Sequence, residues 1–384
     1  MLHPRHALAL ALLAGSACSS GEDPKTQPLT EDEVMPIAQN YATLVAANYA
    51  DTQASAMLLR DALDELVATP SETTLAAART AWLAAREPYA QTEAFRFYDG
   101  PIEAHEGQLN AWPLDEAYID YVEGMPEAGI INDPDSYPTI DAALIASLNE
   151  QGGETNIAAG YHAIEFLLWG QDFDDAGPGA RPFTDYDTSG AGTAANQDRR
   201  GDYLLAAGDL LLDDLGAVVI AWDPAAADNY RAEFLAAPPE QIVRRILLGM
   251  GSLSGAELAG ERISVALDTQ DQEDEHSCFS DNTHRDIIND AIAIQNVYEG
   301  RYGTLEGPGI YALVAARDQA LADRLRAEIQ ASVDLAQAIP APFDRAIVEQ
   351  RDAVEATVDA LRKQADTIVE VATLFDIELA LETL

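Results

Sequence analysis

The chain has 384 residues, 66 of them acidic and 22 basic, for a formal net charge of −44. That charge repels nucleic acid and anionic membrane surfaces, which need a basic footprint, and attracts cations. At 48% apolar residues the chain can bury a sizeable core, and its length suits two domains of roughly 100–200 residues each.

The N-terminus reads as an address. Arg5 with His3 and His6 precedes an Ala/Leu run at 7–14, and Gly15, Ser16, Ala17 and Cys18 follow. Such a run is too short for the ~20 residues that span a bilayer but suits an export signal. The small residues before Cys18 resemble a bacterial lipobox, with Gly15 where Leu is usual. Cys18 is therefore the expected lipidation site, 1–18 the signal and 19–31 a flexible tether. Cleavage after Ala17 without lipid is the runner-up, and it also gives an exported protein. No later segment is long and apolar enough to cross a membrane. With Cys18 lipidated, Cys278 has no disulfide partner. It reads as a small buried residue, ahead of a metal ligand or reactive thiol.

Beyond the tether, apolar residues recur at helical spacing. Val34, Ile37, Ala38, Tyr41, Leu44 and Val45 open a helix over 32–67. Pro70 breaks it, a second helix covers 74–86, and Pro88 kinks or restarts that helix toward Phe97. Residues 99–139, rich in Gly, Pro, Asp and Trp, predict a long ordered loop with short helical turns. Helices follow at 140–148 and 155–168, then a Gly/Asp/Pro connector at 170–196. Helices at 199–221, 227–236, 240–268, 283–298, 310–338 and 343–381 complete the set. Alternating β-branched runs are almost absent, so the pattern predicts an all-α chain of helix bundles joined by functional loops. A faint internal echo, Tyr98-Asp-Gly100 against Tyr298-Glu-Gly300, fits a duplicated unit. The expected division is 32–198 and 199–384.

The chemistry concentrates at 160–170. His162 and Glu165 stand three apart in an otherwise apolar helix, so they share one face. A carboxylate in that setting needs a cation, a hydrogen-bond network or a metal. Gly160 permits close approach of another backbone or a ligand. A purely structural His–Glu pair is the plain alternative. Glu93, with Arg96 one turn on, follows the Pro88 kink. In the second half Asp281, His284 and Asp286 lie at a loop-to-helix junction, where Asp281 could instead cap the helix. Trp112, Phe166 and Trp169 read as core, and His105 as a surface residue. Carboxylates with one or two imidazoles suit iron or another borderline ion, with zinc the alternative.

The Gly160, His162, Glu165 pattern resembles the GxHxxE signature of the imelysin family. So do the blocks Thr92-Glu-Ala-Phe-Arg-Phe-Tyr-Asp-Gly-Pro101, Leu109-Asn-Ala-Trp-Pro-Leu-Asp-Glu116, Cys278-Phe-Ser-Asp-Asn-Thr-His284 and Asn296-Val-Tyr-Glu-Gly300. The resemblance covers roughly 32–384 and is greatest to the iron-regulated, imelysin-like branch. It implies two similar four-helix-bundle domains with the site between them, in a bacterial envelope protein of iron uptake. The expected cargo is iron or an iron-bearing small ligand. The expected contacts are the membrane through a lipid anchor, on the periplasmic face or outer membrane, and an iron transporter of the envelope, with no nucleic acid.

Two functions compete. In the first, His162, Glu165 and Glu93 face His284 with Asp281 or Asp286 across the domain junction and capture a metal, with Arg96 and Gly160 in support. In the second, His162 and Glu165 serve a metallopeptidase, as the family's older label suggests. Neither HExxH nor HxxEH is present, because Ala163 and Phe166 occupy the positions those motifs need. Capture is the favoured reading.

Overall fold

The computed structural model describes residues 28–173 and 177–381. Cys18, the export signal and most of the tether lie outside the described residues. The chain opens with α1 (Glu31–Ala68) and α2 (Glu72–Ala90). Short helices α3 (Glu106–Leu109), α4 (Glu116–Ile119) and α5 (Ala142–Leu148) punctuate the long loop before α6 (Gly160–Trp169) and α7 (Gln197–Trp222). Then come α8 (Tyr230–Ala236), α9 (Pro239–Ser252), α10 (Val265–Thr269) and α11 (Thr283–Glu299). Last are α12 (Ile310–Arg317), α13 (Gln319–Ala338), α14 (Phe343–Glu349) and α15 (Arg351–Leu374). The fold is all-α. Its one sheet among the described residues is a hairpin of β1 (Arg301–Tyr302) and β2 (Leu305–Glu306), antiparallel with Arg301 opposite Glu306.

Local chemistry sets the ends of these helices. The backbone N–H of Thr30 donates to Glu33 at 3.0 Å before α1. Ser71 and Thr74 exchange backbone-to-hydroxyl bonds at 3.0 and 3.2 Å before α2. Pro88 stays inside α2, and its carbonyl accepts from Asn48 on α1 at 3.0 Å. The helix expected from 155 begins instead at Gly160, whose φ of +82° breaks the helical path. The single helices expected over 310–338 and 343–381 are each interrupted, at Asp318 and at Gln350.

Packing produces two four-helix groups. In the first, α1 lies against α2 and α7, and α6 against α2 and α7. The expected boundary at 198/199 falls in the first turn of α7, which packs with the helices before it. In the second, α15 lies against α9 and α13, and α11 against α13. The groups meet where α2 touches α11 and α1 touches α9, and one apolar cluster runs through both, from Val34 to Leu379.

Two further features position the site. Between α9 and α10 the helix widens into a π-helical stretch, Leu253–Ser264, where a plain helix over 240–268 is expected. In that geometry residues five apart share a face, so Glu257 Oε1 accepts from Arg262 Nη2 at 2.9 Å. The second feature is Asp120, fully buried, which accepts from Arg181 at 2.7 Å, from Arg200 at 2.6 and 2.9 Å and from Asn132 at 3.1 Å. Both guanidinium groups lie over the Tyr121 ring, at 5.0 and 5.3 Å. These bonds tie the two long connectors to α7. No described helix is long and apolar enough to cross a membrane.

Candidate metal centre

Helix α6 is buried along its whole length, so His162 and Glu165 have no route to solvent on their own face. Their first bond is to each other, His162 Nδ1 to Glu165 Oε2 at 2.9 Å. Glu165 Oε1 accepts two more, from the backbone N–H and the hydroxyl of Ser280 at 3.0 and 2.6 Å. The loop before α11 therefore closes over α6. On its far edge, His162 Nε2 stands 3.3 Å from Nε2 of His276. His276 in turn sets Nδ1 3.1 Å from Asp286 Oδ2. The result is a buried row, Glu165–His162–His276–Asp286, crossing from α6 to α11.

Arg86 anchors the Asp286 end. It is fully buried on α2, pairs with Asp286 at 3.1 Å, and stacks over Trp82, Tyr89 and Tyr161 at 5.7, 5.3 and 5.1 Å. Asp286 also accepts from Ser277 and Asn282, at 2.5 and 3.3 Å. Although burial opposes its charge, Arg86 and the His276 hydrogen bond hold its carboxyl well below the usual range. Glu165 lies at the other extreme. Burial pushes it up to about 8, despite the two Ser280 bonds. Both imidazoles are pushed down, His276 to about 4, by burial first; Arg262 adds to the effect at His276 and His276 adds to it at His162.

One proton arrangement agrees with all of these directions. Protonated Glu165 donates to His162 Nδ1, His162 Nε2–H donates to His276 Nε2, and His276 Nδ1–H donates to the Asp286 carboxylate. The 3.3 Å spacing of the two Nε2 atoms can be set beside that of paired metal ligands. Two imidazole nitrogens on one near-tetrahedral ion at about 2.05 Å stand about 3.3 Å apart. Each imidazole already has a carboxylate behind its other nitrogen, the arrangement that orients histidine ligands in metal sites. Among the described residues no group of three or more His, Cys, Asp or Glu side chains could hold a metal.

The expected residues do not all meet. Asp286 joins His162 and Glu165 through His276. Gly160 admits a backbone, because a Cβ there would stand 2.5 Å from the Leu109 carbonyl oxygen. Glu93 and Arg96 stand in a neighbouring ion cluster instead. Glu93 Oε2 accepts from Arg96 and Arg262 at 2.7 and 2.6 Å, and Arg262 also bonds Asp290 at 2.9 Å. Burial opposes the charge of Glu93, but Arg262 and then Arg96 hold its carboxyl low, whereas burial pushes that of Asp290 up despite Arg262. His284 is half-buried and bonds the carbonyl of Asp281 in its own loop at 3.0 Å. Asp281 itself holds a left-handed turn, φ +57°. His105 is half-buried against Asp214 at 2.8 Å. Cys278 is buried, and burial pushes its thiol up.

Sequence reasoning missed His276, Arg86 and Asn110. His276 lies two residues before the 278–284 block, at the end of an acidic run outside every matching block. Arg86 falls on the same α2 face as Leu75, Ala78, Trp82 and Tyr89, and a charge at an apolar position was the available signal. Asn110 is inside the 109–116 block; its Oδ1 accepts from Arg86 Nη1, and its Nδ2 stands 3.4 Å from His276 Nε2.

The Imelysin family model, Peptidase_M75, matches residues 45–368. The chain belongs to the imelysin family. Iron-regulated protein A of Synechococcus elongatus is 25% identical over 345 residues, covering 85% of this chain and 84% of that protein. Two solved structures share the fold. A protein described as an iron-regulated protein A precursor from Parabacteroides distasonis aligns at TM-score 0.72 and 19% identity, over 91% of this chain and 97% of its own. An imelysin-like protein from Psychrobacter arcticum 273-4 aligns at TM-score 0.67 and 16% identity, over 92% and 98%. In this imelysin the signature Gly serves the approach of the Leu109 segment, and the signature His and Glu are adjacent members of the buried row.

Proposed function

We propose that this protein captures a transition-metal cation, iron foremost, between His162 Nε2 and His276 Nε2, and holds it as exchangeable cargo in the cell envelope. The observation that carries this is the 3.3 Å spacing of two Nε2 atoms, each imidazole braced by a carboxylate. Borderline nitrogen donors suit iron(II), and zinc(II) equally by chemistry. A site with two protein ligands suits uptake and release, whereas structural zinc sites close all four positions. The relatives named for iron regulation point to the first metal. Lipid on Cys18 would keep the protein at a membrane face beside an iron transporter, and Cys18→Ser would then release it in soluble form.

The peptidase reading is the weaker one. A general base must reach a metal-bound water. Glu165 bonds Nδ1, on the opposite edge of the imidazole from the Nε2 where such a water would sit.

Calorimetric titration with iron(II) under anaerobic conditions, and with zinc(II), tests the proposal. His162→Ala or His276→Ala should abolish measurable binding. Asp286→Asn, which acts through His276, should weaken it by about 10–100-fold. His284→Ala and His105→Ala should leave it unchanged. Full affinity in the His162→Ala/His276→Ala double variant would remove these residues from the site.

A further inference from the structure

Beside the histidine pair lies a cavity of about 350 Å³, bounded by Asn110, Trp112, Arg262 and His276 within and by carboxylates toward solvent. It reaches a member of the row, His276. Its charge is lopsided. Arg96 and Arg262 are matched by Glu93 and Glu257. Glu150, Glu154 and Glu261 also line the cavity, and none of them forms an ion pair among the described residues. Three carboxylates therefore face the cavity without a counter-charge.

Asn110 supplies a second, independent sign. It is 2% exposed and lines the cavity. Arginine only donates, so the Arg86 bond fixes the Asn110 oxygen toward Arg86 and turns its NH2 toward His276. His276 Nε2 has one lone pair, and both Asn110 Nδ2 at 3.4 Å and His162 Nε2 at 3.3 Å approach it. A metal on His276 Nε2 would take that lone pair and leave the buried Asn110 N–H, beside the ion, to donate to an oxygen carried by the cargo itself.

We infer that the cavity is the antechamber of the histidine pair, and that the cargo it admits is an aquated metal cation that keeps oxygen ligands, not an anionic chelate. This rests on the metal-capture reading. Size agrees with charge: a cation with six waters, at about 30 Å³ each, fills about 180 Å³, within the 350 Å³ available. Carboxylates at the mouth concentrate cations and raise their association rate, while they repel citrate complexes and the propionates of haem.

Stopped-flow binding of cobalt(II) chloride, followed by quenching of tryptophan fluorescence, is the test, since Trp112 lies 6.1 Å from the His276 ring. The Glu150→Gln/Glu154→Gln/Glu261→Gln variant should associate about tenfold more slowly at low salt, with its dissociation rate unchanged. The wild-type rate should fall more steeply with ionic strength than that of the triple variant. Ferric citrate and haem should not compete with cobalt. An association rate that the triple variant leaves unchanged would overturn the inference, as would competition by ferric citrate or haem. Cobalt binding that survives His162→Ala/His276→Ala would instead overturn the capture site. Loss in that variant with unaltered rim kinetics would leave the site standing and remove the antechamber.

Discussion

At the scale of single residues, Glu165 determines which nitrogen of His162 is available. In the metal-free row it holds a proton and gives His162 an Nε2–H. Metal at Nε2 requires the other tautomer, with Nδ1–H donated to an ionised Glu165, so loading releases one proton. With Glu165 pushed up to about 8, affinity should rise about tenfold per pH unit up to about pH 8 and level off above it. Calorimetry in buffers of different ionisation enthalpy counts that proton directly; no release at pH 7 would contradict the arrangement. Glu165→Gln sharpens the test. Ser280 offers two donors, so the amide oxygen must face Ser280 and the NH2 must face His162, locking the wrong tautomer. Glu165→Gln should therefore bind metal at least as poorly as Glu165→Ala. The His162–Glu165 pairing was legible from i,i+3 spacing. His276 was not, because its partner is 114 positions away in the chain and no local pattern links them.

At the scale of elements, the site depends on backbone segments held by charges. Gly160 lets the Leu109–Asn110 segment lie against the start of α6. Gly160→Ala would set a Cβ 2.5 Å from the Leu109 carbonyl oxygen, at a φ of +82°. Chemical denaturation should show a loss of about 1–3 kcal/mol, with weaker metal binding as Asn110 shifts. Asp120 performs the matching task for the connectors. Burial opposes its charge, but Arg181 and then Arg200 hold its carboxyl below the ordinary 3.8. A depressed folded value means stability that is present above the unfolded value and lost as pH falls through the folded one. The melting-temperature gap between wild type and Asp120→Asn should accordingly be full at pH 6–7 and shrink below about pH 4; a constant gap would exclude Asp120 titration as its source. The helices themselves were readable from apolar spacing. The π-helical stretch was not, since 253–264 carries an ordinary helical pattern and its widening shows only once folded, in bonds between residues five apart such as Arg262 to Glu257 and Ser264 to the Ala259 carbonyl.

At the scale of the whole molecule, a net charge of −44 with two lysines repels itself in the folded state. Raising NaCl from 10 mM to 1 M shortens the screening length from about 30 Å to about 3 Å. The melting temperature should rise over that range, because the buried pairs Arg86–Asp286 and Arg200–Asp120 are screened far less than the surface. A falling melting temperature would mean that surface pairs outweigh the repulsion. The sequence by itself determined the helical class, the acidity and the pairing of His162 with Glu165, because spacing along a helix and net charge are local or additive properties. Tertiary structure decided which second histidine meets the first, that Glu93 belongs with two arginines, and that the carboxylates of 150–154 and 261 share one cavity. Those choices depend on how α2, α6, the π-helical stretch and α11 converge, and side chains brought together by such convergence leave no periodicity in the chain.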